Sequence, residues 1–199
     1  MHPVYMEIVF DNTVWMSFNI ALAVFAIVNG WLTIKVKLTI IKLICAALWI
    51  LFLPNTIYIL TDIVHLKKGL SLTDGMATIV LALQYLIFIL IGIMSFIFAV
   101  YPLELLLKSR YIKDIKAYSI IIVAIFIVAF GAILGRVQRT NSWDVFVNTT
   151  KVLNDVINTV ISPESMILVF LLGLIGNLLY FLLKKHVITS ANLKILETP

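Results

Sequence analysis

The chain has 199 residues, of which 62% are hydrophobic and 13% are charged, and its formal net charge is +5. A soluble domain carries about 25% charged residues, so this composition excludes an ordinary soluble fold. The basic residues lie at the ends of apolar segments and do not form an aromatic-interleaved stripe, which argues against nucleic-acid binding.

Five apolar segments are each long enough to cross a hydrocarbon core of about 30 Å as a helix. Because the membrane interior offers no water to the backbone, helices are the expected structure. The segments cover residues 15–34, 38–60, 76–98, 117–135 and 165–183. We therefore predict an all-α membrane protein, a bundle of five transmembrane helices in a single domain covering residues 1–199.

Basic residues alternate between the two sides of the predicted bundle. Ten of the fifteen Lys and Arg residues lie in the first connection, the third connection and the tail, namely Lys35, Lys37, Lys42, Lys108, Arg110, Lys113, Lys116, Lys184, Lys185 and Lys194. Loops rich in Lys and Arg stay in the cytoplasm. This bias predicts a multi-pass protein of the plasma membrane with its N-terminus outside and its C-terminus inside.

Few polar residues lie within the spans. Asn19, Asn29, Gln84 and Asn177 are uncharged, and we expect each to form an interhelical hydrogen bond. Glu104, near the inner end of the third span, is four residues before Lys108, a spacing that predicts an ion pair.

The outer end of the second span carries a polar stripe. At 100° per residue, one arc of about 120° holds five polar residues; these are Asn55, Tyr58, Thr61, Asp62 and His65. Pro54 removes a backbone hydrogen bond, which predicts a kink that tilts the stripe over the bundle.

The fourth span ends on the same side. Arg136 and Arg139 would share one side if the helix continued through them, and the spacing of Gly131 and Gly135 permits close contact with a neighbouring helix. Apolar residues then recur with helical spacing over 145–161. This pattern predicts an amphipathic helix on the outer surface.

Together these two polar segments resemble a bacterial membrane family known only as domain of unknown function 1361. The resemblance rests on Leu53-Pro54-Asn55, Tyr58, Thr61-Asp62, His65-Leu66, Gly135-Arg136, Arg139 and Asn141-Ser142-Trp143-Asp144. It covers most of the chain, but Thr140 stands where the family is expected to have an aromatic residue. The resemblance implies an integral membrane protein and brings no established activity.

Both polar segments lie at the outer ends of spans, so we expect them to converge on an outward-facing pocket. One interpretation is purely structural: Asp62 pairs with Arg136 or Arg139, Asp144 pairs with the other, and the spans are clamped. Ionisable residues near a membrane are also candidates for function, because they are costly unless paired or used.

The favoured functional hypothesis is recognition or movement of an anionic lipid headgroup or small solute. Arg136 and Arg139 would grip a phosphate or carboxylate. Hydroxyls next to it would be read by further polar side chains, namely Asn55, Tyr58, Thr61 and Asn141. Trp143 would lie at the membrane interface. Membrane lipids are the expected partners, and the sequence identifies no protein partner.

The alternative is a hydrolase or transferase acting on a lipid-linked substrate. Asp62 and His65 are spaced to share a metal, with Asp144 as a third ligand; otherwise His65 acts as a general base oriented by Asp62. The sequence identifies neither metal nor cofactor. A channel or proton-coupled carrier is the least favoured class, since the polar residues within the spans carry no charge.

Overall fold

The computed structural model describes residues 3–71, 73, 75–109 and 112–191, and side chains of residues 3–6 and 68 are not part of the description. Over this part of the chain there are nine α-helices and no β-strand. They are α1 (Pro3–Lys35), α2 (Thr39–Phe52), α3 (Pro54–Thr61), α4 (Val64–Leu70), α5 (Gly75–Ser109), α6 (Asp114–Gln138), α7 (Asp144–Val147), α8 (Thr149–Ile161) and α9 (Pro163–Ser190). Arg110 and Lys194, used in the charge argument, lie outside the described residues.

The five predicted spans are confirmed. Helical segments long and apolar enough to cross a membrane cover Glu7–Lys35, Thr39–Lys67, Gly75–Ser109, Asp114–Gln138 and Pro163–Ser190. The first and third helices extend well beyond the predicted segments, because a helix continues wherever its backbone hydrogen bonds continue and does not end where apolar composition ends. The protein is therefore an integral, multi-pass membrane protein.

Contacts along α1 and α5 show that these two spans run parallel. Asn12 donates to Gln84 at one end of the pair, and Trp31 donates to the carbonyl of Phe98 further along both helices. The connection through the second span returns the chain between them, so successive spans alternate in direction.

Contacts between α6 and α9 show that these two spans run antiparallel. The rings of Tyr118 and Phe181 lie 5.8 Å apart, and those of Phe126 and Phe170 lie 6.0 Å apart at the other end of the contact. This order agrees with the alternation of the first three spans.

Pro54 interrupts the second span, as the sequence predicted. α2 ends at Phe52 and α3 begins at Pro54. Two side chains donate hydrogen bonds to backbone carbonyls at this break. The amide of Asn55 donates to the carbonyl of Phe52 at 3.1 Å, and the hydroxyl of Thr56 donates to the carbonyl of Leu53 at 2.7 Å. These two side-chain hydrogen bonds replace part of the backbone hydrogen bonding that is lost at the Pro54 break.

Gly131 lets α6 approach this break closely. A Cβ atom at position 131 would lie 2.6 Å from Cγ of Pro54, which real Cβ atoms do not tolerate. At Gly135, one turn further on, a Cβ atom would lie 3.8 Å from the ring of Tyr58, which is an ordinary contact. The predicted close helix contact is therefore confirmed at Gly131.

Pro102 lies inside α5 and removes a second backbone donor. The carbonyl four residues earlier belongs to Phe98, and it accepts from the indole Nε1 of Trp31 at 3.2 Å. The indole of Trp49 donates to the next carbonyl, Ala99, at 2.8 Å. Two tryptophans from α1 and α2 thus donate to the α5 carbonyls that precede Pro102 by four and three residues.

A buried carboxylate defines each end of the bundle, and we name the ends after Asp62 and Glu104. Glu104 is 2% exposed and lies 3.0 Å from Lys108, which confirms the predicted pair. Its other oxygen accepts from Tyr180 and Lys184, both at 2.7 Å. These contacts tie α5 to α9 at the Glu104 end.

Polar residues within the spans behave in two ways. Asn19 donates to Asp62, and Gln84 donates to the backbone of α1, so these two predicted interhelical bonds are confirmed. Asn177 donates at 2.8 Å within α9 and at 3.5 Å to α6. For Asn29 the prediction is wrong, since its amide donates within α1, where the carbonyl four residues earlier lies closest.

The predicted amphipathic helix over 145–161 is present but broken. Asn148 leaves the helical conformation, and its side chain accepts from the N–H of Lys151, which caps α8. The apolar side of α8 is exposed, with Leu153 at 59% and Ile157 at 53%, while Thr159 is fully buried. α8 therefore turns part of its polar surface toward the bundle and much of its apolar surface outward.

Candidate functional site

Asp62 lies at the junction of three spans. It follows the last residue of α3, is 2% exposed, and accepts from Nη1 of Arg136 at 2.9 Å and from Nδ2 of Asn19 at 3.0 Å. Each carboxylate oxygen has its own donor, which is how a buried charge is accommodated. The sequence-based interpretation anticipated the pairing with Arg136 and missed its coupling to Asn19.

Arg136 is held from a second side as well. Its guanidinium carbon lies 6.0 Å from the ring centre of Tyr58, within the range of a cation–π contact. Only 21% of the side chain is exposed. The group is therefore engaged with α3 and has little freedom to turn toward a ligand.

His65 lies beyond the end of α3, on α4. Its Nε2 is 4.0 Å from the carboxylate of Asp62, too far for a hydrogen bond, and 52% of its side chain is exposed. The turn at Asp62 and Ile63 separates the two helices, so the predicted single polar arc is divided. His65 faces the ring of Trp15 at 5.9 Å.

Asp144 pairs with a residue that the sequence-based interpretation did not select. Its carboxylate accepts from Lys151 at 2.6 Å and from the backbone N–H of Asn141 at 2.9 Å. The hydrogen bond from Lys151, with that from Asn141, holds the pKa of Asp144 below its usual range. The expected pairing of Asp144 with Arg136 or Arg139 is wrong.

The conformation of Arg139 explains this difference. α6 ends at Gln138, and Arg139 adopts a left-handed conformation with φ of 56°. The chain therefore leaves the helix axis before Arg139, and its exposed side chain does not share a side with Arg136. Among the described ion pairs, none includes the Arg139 guanidinium.

α8 is fastened to the loop that follows α6. The hydroxyl of Thr140 donates to Asp155 at 2.5 Å, and Nζ of Lys151 donates to the carbonyl of Arg139 at 3.2 Å. Lys151 and Asp155 lie one turn apart on the polar side of α8, and this spacing was the available signal for their role.

The proposed metal ligands do not come together. Within the described residues, no three His, Cys, Asp or Glu side chains form a group that could hold a metal ion. Asp62 and His65 lie in one cluster, while Asp144 lies with Lys151 in another. Asp144 is therefore not a third ligand beside Asp62 and His65.

A cavity of about 350 Å³ opens between α1, the Pro54 break and α6, and we call it the Asn55 cavity. Its lining is apolar along α6 and at the end of α2, and mostly polar at α3 and in the loop that follows α6. The apolar part includes Leu22, Ile50, Leu51, Ile127, Phe130 and Leu134. The polar part includes Asn19, Asn55, Tyr58, Thr140, Asn141 and Ser142.

Four of the predicted binding residues therefore meet at one cavity, namely Asn55, Tyr58, Asn141 and Trp143. Asn55 donates to the hydroxyl of Ser142 at 3.1 Å, which links the two polar segments directly. Trp143 is 40% exposed and packs edge-on against Phe18 at the rim.

The other predicted residues lie elsewhere. The hydroxyl of Thr61 donates to the carbonyl of Tyr58 within its own helix. Asp62, Arg136 and Arg139 are not among the described lining residues of the Asn55 cavity. His65 instead lines a second cavity, of about 390 Å³, between α1, α4 and α5.

Comparison with known families gives one match. The model of a family described as "Protein of unknown function (DUF1361)" matches residues 14–179, which include both polar segments and all five spans in whole or in part. No curated protein and no solved structure matches the chain.

Proposed function

Since the chain belongs to the DUF1361 family, whose function is unknown, we propose a role from the geometry: the Asn55 cavity binds a membrane phospholipid. The observation that carries this proposal is the lining of the cavity, which has an apolar part and a polar part. Apolar side chains at the depth of the hydrocarbon core suit an acyl chain, and amides and hydroxyls near the Asp62 end suit a headgroup.

The proposed headgroup contacts differ from the sequence-based hypothesis, in which Arg136 and Arg139 together bind the phosphate or carboxylate. Neutral donors and acceptors from Asn55, Asn141 and Ser142 would contact the glycerol and phosphate oxygens. Arg139, adjacent to Thr140 in the lining, supplies positive charge at the rim and a preference for anionic lipids.

Within this proposal the residues divide into two roles. Asp62 and Arg136, with the amide of Asn19, hold α1, α3 and α6 in place; of these three residues only Asn19 also lines the cavity. The lining residues contact the lipid. The ion pair predicted to join the spans and the predicted headgroup site are therefore formed by neighbouring but largely different side chains.

We place the Asp62 end at the outer leaflet, because the basic connections lie at the opposite end. Lys35, Lys108 and Lys184 are at or near the Glu104 end of their helices. The lipid would therefore be one of the outer face of the membrane in which the protein resides.

The test compares two tryptophan substitutions on one face of α6. Ile127 and Val123 are 64% and 58% exposed and lie one turn apart, but only Ile127 lines the cavity. We expect Ile127→Trp to abolish lipid retention in native mass spectrometry, while Val123→Trp retains lipid as wild type does. Equal retention in both variants would refute the proposal.

The anionic preference has its own test. In protein purified from a mixed membrane, Arg139→Gln should retain lipid but lower the ratio of anionic to zwitterionic headgroups. Unchanged headgroup composition with retained lipid would remove the role of Arg139 and leave binding in the cavity standing.

A further inference from the structure

The second cavity, which we call the Trp15 cavity, has a different character from the Asn55 cavity. It encloses about 390 Å³ between α1, α4 and α5, and three aromatic rings belong to its lining: Trp15, His65 and Tyr85. One carboxylate, that of Asp11, lines it as well. No part of the proposed lipid site uses these residues.

The rings form a corner that is held in place. The indole of Trp15 lies 5.9 Å from His65 and 6.2 Å from Tyr85, tilted by 59° and 60° respectively. Its Nε1 donates to the side chain of Asn12 at 3.1 Å. Tyr85 is 2% exposed and so is fixed by packing. The rings of His65 and Tyr85 therefore pack against Trp15 at one side of the cavity, where half-buried Trp15 and exposed His65 offer ring surface to a ligand.

Among the described lining residues of the Trp15 cavity there is one carboxylate, Asp11, and no Lys or Arg, although exposed Lys67 lies nearby on α4. Asp11 is exposed, and the ion pairs found among the described residues do not include it. Glu7, also exposed, lies one turn earlier on the same side of α1. In a chain with a net charge of +5, this end of α1 is a local acidic surface.

We propose that the Trp15 cavity binds an organic ammonium group. Aromatic faces attract a cation through the ring quadrupole, and recognition of alkylated ammonium by several rings uses this attraction. The carboxylate of Asp11 adds charge complementarity at the open side. The source of the group is either a free organic amine or the amine of a lipid headgroup.

Ammonium binding in the Trp15 cavity does not depend on lipid binding in the Asn55 cavity. The two cavities are lined by different residues, one between α1, the Pro54 break and α6 and the other between α1, α4 and α5. Loss of lipid in the Ile127→Trp variant would therefore leave ammonium binding intact, and the reverse also holds.

The experiment follows the four tryptophan indole signals by NMR in detergent micelles, with the Trp15 signal assigned from its loss in Trp15→Phe. Titration with tetramethylammonium chloride should move the Trp15 signal in a saturable manner and leave those of Trp31 and Trp49 in place. Sodium chloride at equal concentration should not move it; an equal shift would overturn the proposal.

Two matched substitutions distinguish a direct contact between Asp11 and the ammonium group from a general effect of negative charge on α1. Asp11→Asn should weaken tetramethylammonium binding about fivefold or more, whereas Glu7→Gln, which removes the same charge outside the cavity, should change it less than about twofold. Equal weakening in both variants would overturn the proposed site. Unchanged Trp31 and Trp49 signals report that each variant remains folded.

The position of the Trp15 signal in nanodiscs of known lipid composition distinguishes the two sources of the ammonium group. In nanodiscs of phosphatidylethanolamine, a Trp15 signal already at its bound position would identify the lipid headgroup as the ligand. A signal at the free position, moved only by added ethylammonium chloride, would identify a soluble amine. A signal that neither condition moves would count against the proposal.

Discussion

The carboxylate of Asp62 accepts a hydrogen bond of 2.9 Å from Arg136, which lies 74 residues later in the chain. Asp62 is 2% exposed, so its carboxylate is shielded from water, while the Arg136 side chain is 21% exposed. Asn19 supplies the second donor, so the pair connects α1, α3 and α6 at one point. Asn19 also lines the Asn55 cavity.

Truncation of Arg136 should strongly destabilise the protein. Arg136→Ala leaves the buried Asp62 carboxylate with Asn19 as its one described hydrogen-bond donor, and loss of one partner of a buried pair costs about 3–5 kcal/mol. Unfolding in mixed detergent micelles measures the change. The control is Arg139→Ala, which should alter stability by less than about 0.5 kcal/mol. Similar losses in both variants would contradict the assigned pairing.

The indole N–H of Trp31 should contribute more to stability while Pro102 is present than in its absence. Trp31→Phe removes the donor to the Phe98 carbonyl and should cost about 1 kcal/mol. Pro102→Ala restores an N–H to that carbonyl, so Trp31→Phe should cost less in the Pro102→Ala background. Trp49→Phe is the control, because its acceptor, Ala99, keeps the N–H of its own helix. A cycle with no coupling between positions 31 and 102 would refute this account.

Two adjacent lysines at the Glu104 end should behave differently. Lys184 donates to the buried Glu104 carboxylate, whereas Lys185 is exposed and takes part in no described ion pair. Lys184→Met should cost about 2 kcal/mol, reduced from the loss of a sole partner because Lys108 remains. Lys185→Met should be nearly neutral. Thermal unfolding of the two variants measures the difference, and equal midpoints would be the contrary result.

The loop before α7 should respond to acid. The pKa of Asp144 is lowered by its hydrogen bonds from Lys151 and Asn141, so the ionised form is favoured in the folded protein. The stabilisation is therefore fully present above the ordinary carboxyl range of about 4 and is lost as pH falls through the lower folded pKa. Carboxyl ¹³C NMR should show this low midpoint, and Lys151→Met should raise it. An unchanged midpoint in Lys151→Met would be inconsistent with the assignment.

The orientation of the bundle can be read from cysteine labelling. Cys45 is buried, so Cys45→Ala provides a background for single cysteines. In intact cells an impermeant maleimide should label Asn154→Cys on α8 and reach Lys185→Cys only after permeabilisation. The opposite pattern would place the Asp62 end inside and transfer the proposed lipid site to the inner leaflet.

Several features of this protein follow from local sequence alone. The five spans were predictable because length and apolar composition decide whether a segment crosses a membrane. The break at Pro54 and the pairing of Glu104 with Lys108 were predictable because both depend on neighbours within one turn.

Which charged groups meet was decided only by the tertiary structure. Asp62 selects Arg136, while Asp144 selects Lys151, because α6 ends at Gln138 and the left-handed Arg139 redirects the chain. Spans that are apolar around most of their surface carry little information on how they rotate against one another. Long-range contacts depend on that rotation and on where each helix ends.

The division of the predicted polar arc shows the same limit. A continuous helix would have placed Asn55 and His65 on one side, but the turn at Asp62 directs them to different cavities. Segment length and composition are enough to predict the membrane-spanning architecture and the polar residues available at each end. Which cavity each polar residue lines, and which partner it has, depends on how α1, α3 and α6 pack. The reason is that the end of each helix and the side-chain contacts between helices depend on one another.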